Sequence, residues 1–150
     1  MTTLGGIDWN TATKSLMEIL KLPVSQVADW KVKDGQYWEV AHGPKHRPVL
    51  EKLDDEVILR EDVALFARAV NPYNRKRTVT ICNGMYGRGT RGAVLALTDN
   101  KFRDRNAGYV RSQFSGSNAY CILTRVPIVN GMVMTPDWTT SDYILFEWSR

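Results

Sequence analysis

The segment that carries most of the information is residues 78–99, which read TVTICNGMYGRGTRGAVLALTD. Its β-branched and apolar start predicts a buried strand, and the Asn83–Gly84 pair predicts that the strand stops there. Further glycines follow, and the apolar run Ala93–Leu97 then predicts a helix. A strand, a glycine loop and a helix in this order place free backbone N–H groups where an anion can bind.

Within this segment, residues 87–92 have the spacing G-x-G-x-x-G. Glycines let a backbone approach phosphate closely, while Arg88 or Arg91 can bind it bidentately and Thr90 can donate a hydroxyl hydrogen bond. The alternative is that the glycines only make a tight turn between strand and helix. A dinucleotide site also needs an acid after the next strand. Asp104 has about the right spacing but falls in a predicted helix, which disfavours an NAD-dependent dehydrogenase. A P-loop is excluded because the Gly-Lys-Ser/Thr ending is absent.

A second glycine turn occurs at the start of the chain, where residues 4–10 read LGGIDWN. The residues before it predict a short strand, and the apolar spacing of Thr11–Leu22 predicts a helix. If both glycine turns leave neighbouring strands at the same edge, they converge on one crevice. Asp8 and Asn10 would then hold a ribose or a base, or alternatively cap the helix. Trp9 is placed to stack on a base.

The remaining sequence predicts both strands and a helix. Residues 24–70 read as β-structure, with a hairpin signal at Asp34–Gly35 and a turn at 71–74. Residues 102–114 predict a helix, and 120–126 and 143–148 predict strands, with a hairpin at Asn130–Gly131. Helices alternate with strands near both glycine turns. We therefore predict a single α/β domain over residues 1–150, Rossmann-like, with a mixed, largely parallel sheet and a C-terminal β-hairpin.

The bulk properties are those of an ordinary globular chain of 150 residues, with 43% hydrophobic and 24% charged residues. No apolar run of membrane-spanning length occurs and no signal peptide is recognisable, so a cytoplasmic location without membrane association is expected. Cys82 and Cys121 both fall in strand-like runs and are expected to be buried thiols. His42 and His46 are four residues apart, but Gly43–Pro44 between them excludes the regular helix that a metal site at this spacing needs. No metal is expected.

The net charge is +4; six acidic residues lie between positions 51 and 62, whereas basic residues predominate from Arg75 to Arg111. Arg75–Arg77 is a compact basic run, and further arginines follow in the glycine segment and in the helix 102–114. This asymmetry suits a small anionic ligand. It also leaves nucleic acid open as a partner, although it is not the favoured one.

Three segments resemble a known family: LGGIDWN (4–10), DVALFARAVNPYN (62–74) and ICNGMYGRG (81–89). They are similar to an uncharacterised Rossmann-like domain of actinobacterial proteins that is often attached to an XRE-type helix-turn-helix. More remotely, the chain resembles SLOG-like and deoxyribosyltransferase-like nucleotide-binding folds. The resemblance implies a regulatory, ligand-sensing domain. The catalytic glutamate of the remote relatives has no counterpart here, and no helix-turn-helix is predicted within the chain.

The leading hypothesis is a ligand-binding domain for a nucleotide or an NAD-derived phosphate compound. An alternative is a hydrolase or glycosidase acting on such a nucleotide, with Asp8 or Asp99 as its carboxylate. A second alternative is a nucleic-acid-binding module that uses the basic surface, and a homodimer through the helix 102–114 also stays open. The residues predicted to line the ligand crevice are Gly5, Gly6, Asp8, Asn10, Asn83, Gly84, Arg88, Gly89, Thr90 and Arg91.

Overall fold

A computed structural model describes all residues, 1–150, and contains three helices and ten strands. The helices are α1 (Thr11–Leu20), α2 (Gly87–Leu95) and α3 (Arg103–Gln113). The strands are β1 (Thr2–Leu4), β2 (Val24–Ala28), β3 (Gln36–Val40), β4 (Lys45–His46), β5 (Val49–Leu53), β6 (Glu56–Asn71), β7 (Asn74–Gly84), β8 (Ala119–Val129), β9 (Met132–Val133) and β10 (Ile144–Ser149).

The strands form two sheets. The larger has the order β1-β7-β6-β8-β10, with β5 added to β6 and β9 added to β8; the smaller is β2-β3-β4. Only β1 and β7 pair in parallel, with Thr2 opposite Thr80 and Leu4 opposite Cys82. Every other pairing is antiparallel.

The prediction of a Rossmann-like α/β fold with a largely parallel sheet is wrong. The chain is mostly β, with 44% of residues in strands and 20% in helices, arranged as a curled mixed sheet and a separate antiparallel sheet. The reason lies in the connections. Parallel neighbours need a long crossover, whereas β6 and β7 are joined by a tight turn after Asn71, and β8 and β9 by another at Asn130–Gly131. Such short connections force antiparallel pairing.

Both faces of the larger sheet are covered. On one face, Val63, Leu65 and Ile81 pack against α1 and the smaller sheet. Trp38 of the smaller sheet is fully buried there, and its indole N–H donates to the Val63 carbonyl at 3.0 Å. On the other face, a second cluster built around Phe66 packs against α2, α3 and the segment that contains Trp138. The two helices that follow the glycine turns, α1 and α2, therefore lie on opposite faces.

The glycine segment is helical earlier than predicted. Residues 87–92 are not a loop before a helix at Ala93, since they form the first turns of α2. Two of these glycines are required by close packing: a Cβ at Gly89 would overlap the Asp62 carboxylate, and a Cβ at Gly92 would overlap the Val126 methyl groups. The glycines thus bring the helix close to β6 and β8, which the spacing alone does not reveal.

Several local predictions are confirmed. The Asn130–Gly131 pair makes the β8–β9 hairpin, with positive φ angles of 50° and 77°, as a type I′ turn requires. Cys82 and Cys121 are free, buried thiols, and they belong to the clusters on opposite faces of the sheet. As a separate observation, none of the three helices combines the length and the apolar composition that a membrane span requires.

Candidate functional site

The candidate site lies where the two parallel strands end. The backbone N–H of Gly5, just after β1, donates to the Cys82 carbonyl of β7 at 3.1 Å, so the two chain segments leave the sheet side by side. The chain then turns to α1 on one face and to α2 on the other. Strand ends from which the following helices diverge create a crevice, and in open α/β sheets ligands bind at such points. The predicted convergence of the two glycine turns is what the structure contains.

A cleft of about 550 Å³ occupies this crevice. It is walled by three aromatic side chains, Trp9, Trp30 and Tyr86. Trp9 is 89% exposed and Trp30 is 50% exposed, while the rings of Trp30 and Tyr86 meet edge to face with centroids 5.5 Å apart. The full lining is Gly5, Gly6, Asp8, Trp9, Gln26, Trp30, Gly84, Met85, Tyr86, Gly87 and Thr90.

Asp8 and Asn10, which were predicted together, have different roles. Asp8 is exposed and lines the cleft, where its carboxylate accepts a hydrogen bond from the Trp30 indole N–H at 2.9 Å. Asn10 is the N-cap of α1: its side chain accepts from the Thr13 N–H at 3.1 Å and donates to the Leu4 carbonyl at 2.9 Å. Asn10 thus fixes the glycine turn and does not line the cleft.

Beneath the first glycine turn lie two buried amides. Asn83 donates to the Gln26 side-chain oxygen at 2.8 Å, and the same oxygen accepts from the Ile7 N–H at 3.3 Å. The Gln26 amide group in turn donates to the Gly84 carbonyl at 3.3 Å. Gly6 packs directly on this pair, since a Cβ there would be 3.3 Å from the Gln26 amide nitrogen. Asn83 therefore positions Gln26 and is not itself a lining residue.

The turn between β7 and α2 is held by Thr90. Its hydroxyl oxygen accepts from the Gly84 N–H at 2.9 Å. Gly84 must be glycine because a Cβ would overlap the backbone of Gly89 and Thr90. Both residues line the cleft, but the Thr90 hydroxyl is already engaged by the protein.

A buried acid, Asp62, lies under the same turn. One carboxylate oxygen accepts from the N–H groups of Tyr86 at 2.9 Å and Gly89 at 2.7 Å, and the other accepts from Val63 N–H at 2.8 Å. Burial raises the pKa of this carboxyl to about 7, against the opposing effect of the three N–H donors. The predicted phosphate position at Gly89 is thus occupied by the protein's own carboxyl group.

Arg88 faces a second depression, and Arg91 faces neither. The second depression has a volume of about 560 Å³ and is lined by Arg88, Gly131 and residues 57–59. It shares Tyr86 and Gly87 with the first cleft. The N–H groups of Gly87 and Arg88, in the first turn of α2, have no acceptor within the protein. Arg91 is exposed and lines neither cavity.

The other residues considered for chemistry lie elsewhere. Asp99 follows the C-terminal end of α2 and accepts hydrogen bonds from the Thr135 hydroxyl at 2.5 Å and the Lys101 N–H at 2.8 Å. Burial raises the pKa of the Cys82 thiol to about 11, so this sulfur is not an activated nucleophile. No group of three or more His, Cys, Asp or Glu side chains is arranged to hold a metal ion.

The basic run Arg75–Arg77 is exposed at the start of β7. The cleft is at the other end of this 11-residue strand, about 25 Å away at the rise of a β-strand. The basic run and the cleft are therefore separate surfaces.

Sequence reasoning missed Gln26, Trp30, Asp62 and Tyr86. Tyr86 lies within the glycine segment 78–99, but in this segment it is the glycines that indicate a ligand site, and no pattern singles out the aromatic side chain between them. Trp30 was one of five tryptophans and had no motif around it. Asp62 directly precedes the apolar run of β6, and this is the one signal that separated it from the exposed acids before it.

Comparison with known proteins gives no further assignment: no family model, no curated protein and no solved structure matches the chain.

Proposed function

We propose that this protein is a ligand-binding module for a small molecule that joins a flat ring to a phosphate, such as a nucleotide or an NAD-derived compound. The observation that carries the proposal is the crevice between the ends of β1 and β7, from which α1 and α2 diverge to opposite faces. In open α/β sheets, ligands bind at the carboxyl ends of parallel strands from which the helices diverge in this way, and β1 and β7 are the one parallel pair of this sheet. A regulatory role is part of the same proposal.

The ring would bind among the aromatic side chains of the cleft. Trp9 and Trp30 keep large apolar rings exposed to water, and covering such rings with a stacked ligand gains about 1–3 kcal/mol per base. Tyr86 sits edge-on to Trp30, so a flat ligand would meet two differently oriented walls. Asp8 can accept a hydrogen bond from a ribose hydroxyl at the same opening.

The phosphate would bind next to Gly87, where the cleft meets the second depression. Two N–H groups of the first helical turn, those of Gly87 and Arg88, are free to donate there, and the Arg88 guanidinium lines the adjoining surface. Asp62 already accepts hydrogen bonds from the N–H groups of Tyr86 and Gly89. A phosphate would therefore use the outer pair of donors together with the arginine.

Tryptophan fluorescence and calorimetry test this proposal, with AMP, ADP-ribose, nicotinamide mononucleotide, NAD and inorganic phosphate as probes. At least one nucleotide is expected to bind with a change in tryptophan emission. The Trp30→Leu variant is expected to bind it about tenfold more weakly or worse, the equivalent of about 1.4 kcal/mol. Trp148→Leu is the control, because this tryptophan belongs to β10 and does not line the cleft. Absence of binding by every probe, or equal losses in both variants, would refute the proposal.

Asp8 supports a second candidate function, hydrolysis of the glycosidic bond of a nucleotide. It is the one carboxylate that lines the cleft, and Trp30 holds one of its oxygens. A carboxylate beside the sugar can stabilise the cationic transition state of glycoside cleavage. Chromatographic detection of free base from NAD or AMP, lost in Asp8→Asn, would support this activity; no product at high protein concentration would exclude it.

A further inference from the structure

The charges around the cleft point to the kind of ring it takes. We infer that the cleft selects a positively charged ring, an N-substituted pyridinium such as the oxidised nicotinamide group, over a neutral purine or pyrimidine. This inference rests on the proposed function, because it specifies which part of a nucleotide-type ligand occupies the aromatic cleft.

The first argument is the charge of the lining. Asp8 is the only charged residue among those that line the cleft, and no lysine or arginine joins it. Arg88 lines the neighbouring depression, which shares Tyr86 and Gly87 with the cleft. A cationic ring therefore meets a carboxylate in the cleft, whereas the phosphate on the same ligand meets Arg88 outside it. Each end of the ligand would face a group of opposite charge.

The second argument is the aromatic lining. The face of an indole or phenol ring is electronegative and attracts a cation within about 6 Å of its centre. The rings of Trp30 and Tyr86 have an interplanar angle of 66° and centroids 5.5 Å apart, and Trp9 adds a third wall. The hydrogen bond from Trp30 to Asp8 fixes the indole beside the carboxylate. Aromatic walls combined with an acid are suited to a cation.

The third argument is what the cleft lacks for a neutral base. A purine or pyrimidine is identified by hydrogen bonds to its edge, which a side-chain amide commonly provides. Gln26 is the only amide side chain that lines the cleft, and its oxygen accepts from Asn83 and Ile7 while its nitrogen donates to Gly84. No side-chain amide of the lining is therefore free to read a base edge.

The test compares two probes of nearly the same shape, the 1-methylnicotinamide cation and neutral nicotinamide. Their dissociation constants are measured by tryptophan fluorescence on the full chain. The cation is expected to bind about tenfold more tightly, and the preference is expected to fall to about threefold or less in Asp8→Asn. Asp104→Asn is the matched control, since this exposed carboxylate in α3 does not line the cleft.

A second comparison needs no variant. Nicotinamide mononucleotide is expected to bind about tenfold more tightly in its oxidised, cationic form than in its reduced, neutral form. Equal affinity for the two forms, a preference for neutral nicotinamide, or a preference for the 1-methylnicotinamide cation that survives unchanged in Asp8→Asn, would overturn the inference. If AMP binds as well as the oxidised mononucleotide, the inference fails while the proposed function stands. If no probe binds, both fail.

Discussion

The Asp62 carboxylate accepts a hydrogen bond of 2.7 Å from the N–H of Gly89, in the first turn of α2. The contact explains why residue 89 is glycine, because any Cβ there would overlap this carboxylate. It also changes the meaning of the G-x-G-x-x-G pattern. Part of the N-terminal end of the helix is satisfied by an internal acid, and only the outer N–H groups, at Gly87 and Arg88, are left for a ligand.

Asp62 predicts an unusual dependence of stability on pH. Its pKa in the folded protein is raised to about 7, compared with about 4 in the unfolded chain. Between these values the folded protein holds a proton that the unfolded chain has lost. The contribution of Asp62 to the free energy of unfolding therefore decreases as pH rises from 4 to 7, by up to about 4 kcal/mol, and is constant above that.

Urea unfolding at pH 4.5 and pH 7.5 measures this contribution when wild type is compared with Asp62→Asn. The difference in the free energy of unfolding between the two variants should shift in favour of Asp62→Asn as pH rises. Asp104→Asn removes one negative charge from a side chain that is 90% exposed and serves as the control. An identical pH dependence in wild type and Asp62→Asn would show that Asp62 is ionised throughout.

Gly92 predicts a second, purely steric effect. A Cβ at this position would overlap both methyl groups of the fully buried Val126. Gly92→Ala should destabilise the protein by about 1–3 kcal/mol, since the overlap outweighs the better helix propensity of alanine. In contrast, Gly108→Ala in α3 meets only the end of the Arg111 side chain, at 4.0 Å, and should stabilise by up to about 1 kcal/mol.

Thermal or urea unfolding of both variants distinguishes these outcomes. Adding Val126→Ala to Gly92→Ala should recover part of the loss, because the smaller side chain leaves room for the new methyl group. If Gly92→Ala proved as stable as Gly108→Ala, the close approach of α2 to β8 would be disproved.

Local signals in the sequence predicted local structure well. The Asn130–Gly131 pair specified its hairpin because both residues tolerate the positive φ angles that a type I′ turn needs. The prediction of the fold class failed because the fold depends on which strands pair across long stretches of sequence. β6 lies between β7 and β8, and its pairing with β8 joins residues about 60 positions apart, such as Leu65 and Leu123. The sequence of neither segment indicates that the two strands pair.

The glycine segment failed for a related reason. Glycine has low helix propensity, so residues 87–92 read as a loop, and the contacts with Asp62 and Val126 that favour a helix there are tertiary. The position of the crevice could nevertheless be predicted from the sequence, because each glycine turn directly follows a strand. The residues that line the crevice were harder to predict, because Gln26 and Trp30 come from β2 and the segment after it, far in sequence from both glycine turns.

The contacts of Asn106 give a third prediction, which concerns the stability of the segment around Trp138 that covers the second core cluster. Its fully buried amide donates to the carbonyls of Ala96 at 2.7 Å and Pro136 at 2.9 Å, and accepts from the Trp138 N–H at 2.8 Å. Asn106→Ala leaves three buried backbone groups without partners, and each such group costs about 1–3 kcal/mol. A loss of about 3 kcal/mol or more is expected.

Urea unfolding measures this loss, and Asn100→Ala is the control because Asn100 is exposed. Emission from Trp138 should also shift to longer wavelength in Asn106→Ala if the segment loosens. A loss below 1 kcal/mol would mean that water or a rearranged backbone replaces the amide.

A comparison of Arg88 with Arg91 gives the fourth prediction, which distinguishes a specific phosphate site from a general attraction of anions to α2. Both arginines are exposed in α2, but only Arg88 lines a cavity that adjoins the cleft. A charge-assisted hydrogen bond contributes about 1.5–3 kcal/mol. Arg88→Ala should therefore weaken binding of a nucleotide by about 10- to 100-fold, whereas Arg91→Ala should change it by less than about twofold.

Calorimetry at 50 and 300 mM salt completes this test. The wild-type affinity for a nucleotide should fall with salt, since exposed charges are screened, and the fall should be smaller in Arg88→Ala than in Arg91→Ala. Affinity for a probe without phosphate, such as the 1-methylnicotinamide cation, should be the same in both variants because Arg88 lies outside the aromatic cleft. Equal losses of nucleotide affinity in the two variants would mean that the arginines act only through the overall charge of α2, and the phosphate position beside Gly87 would have to be abandoned.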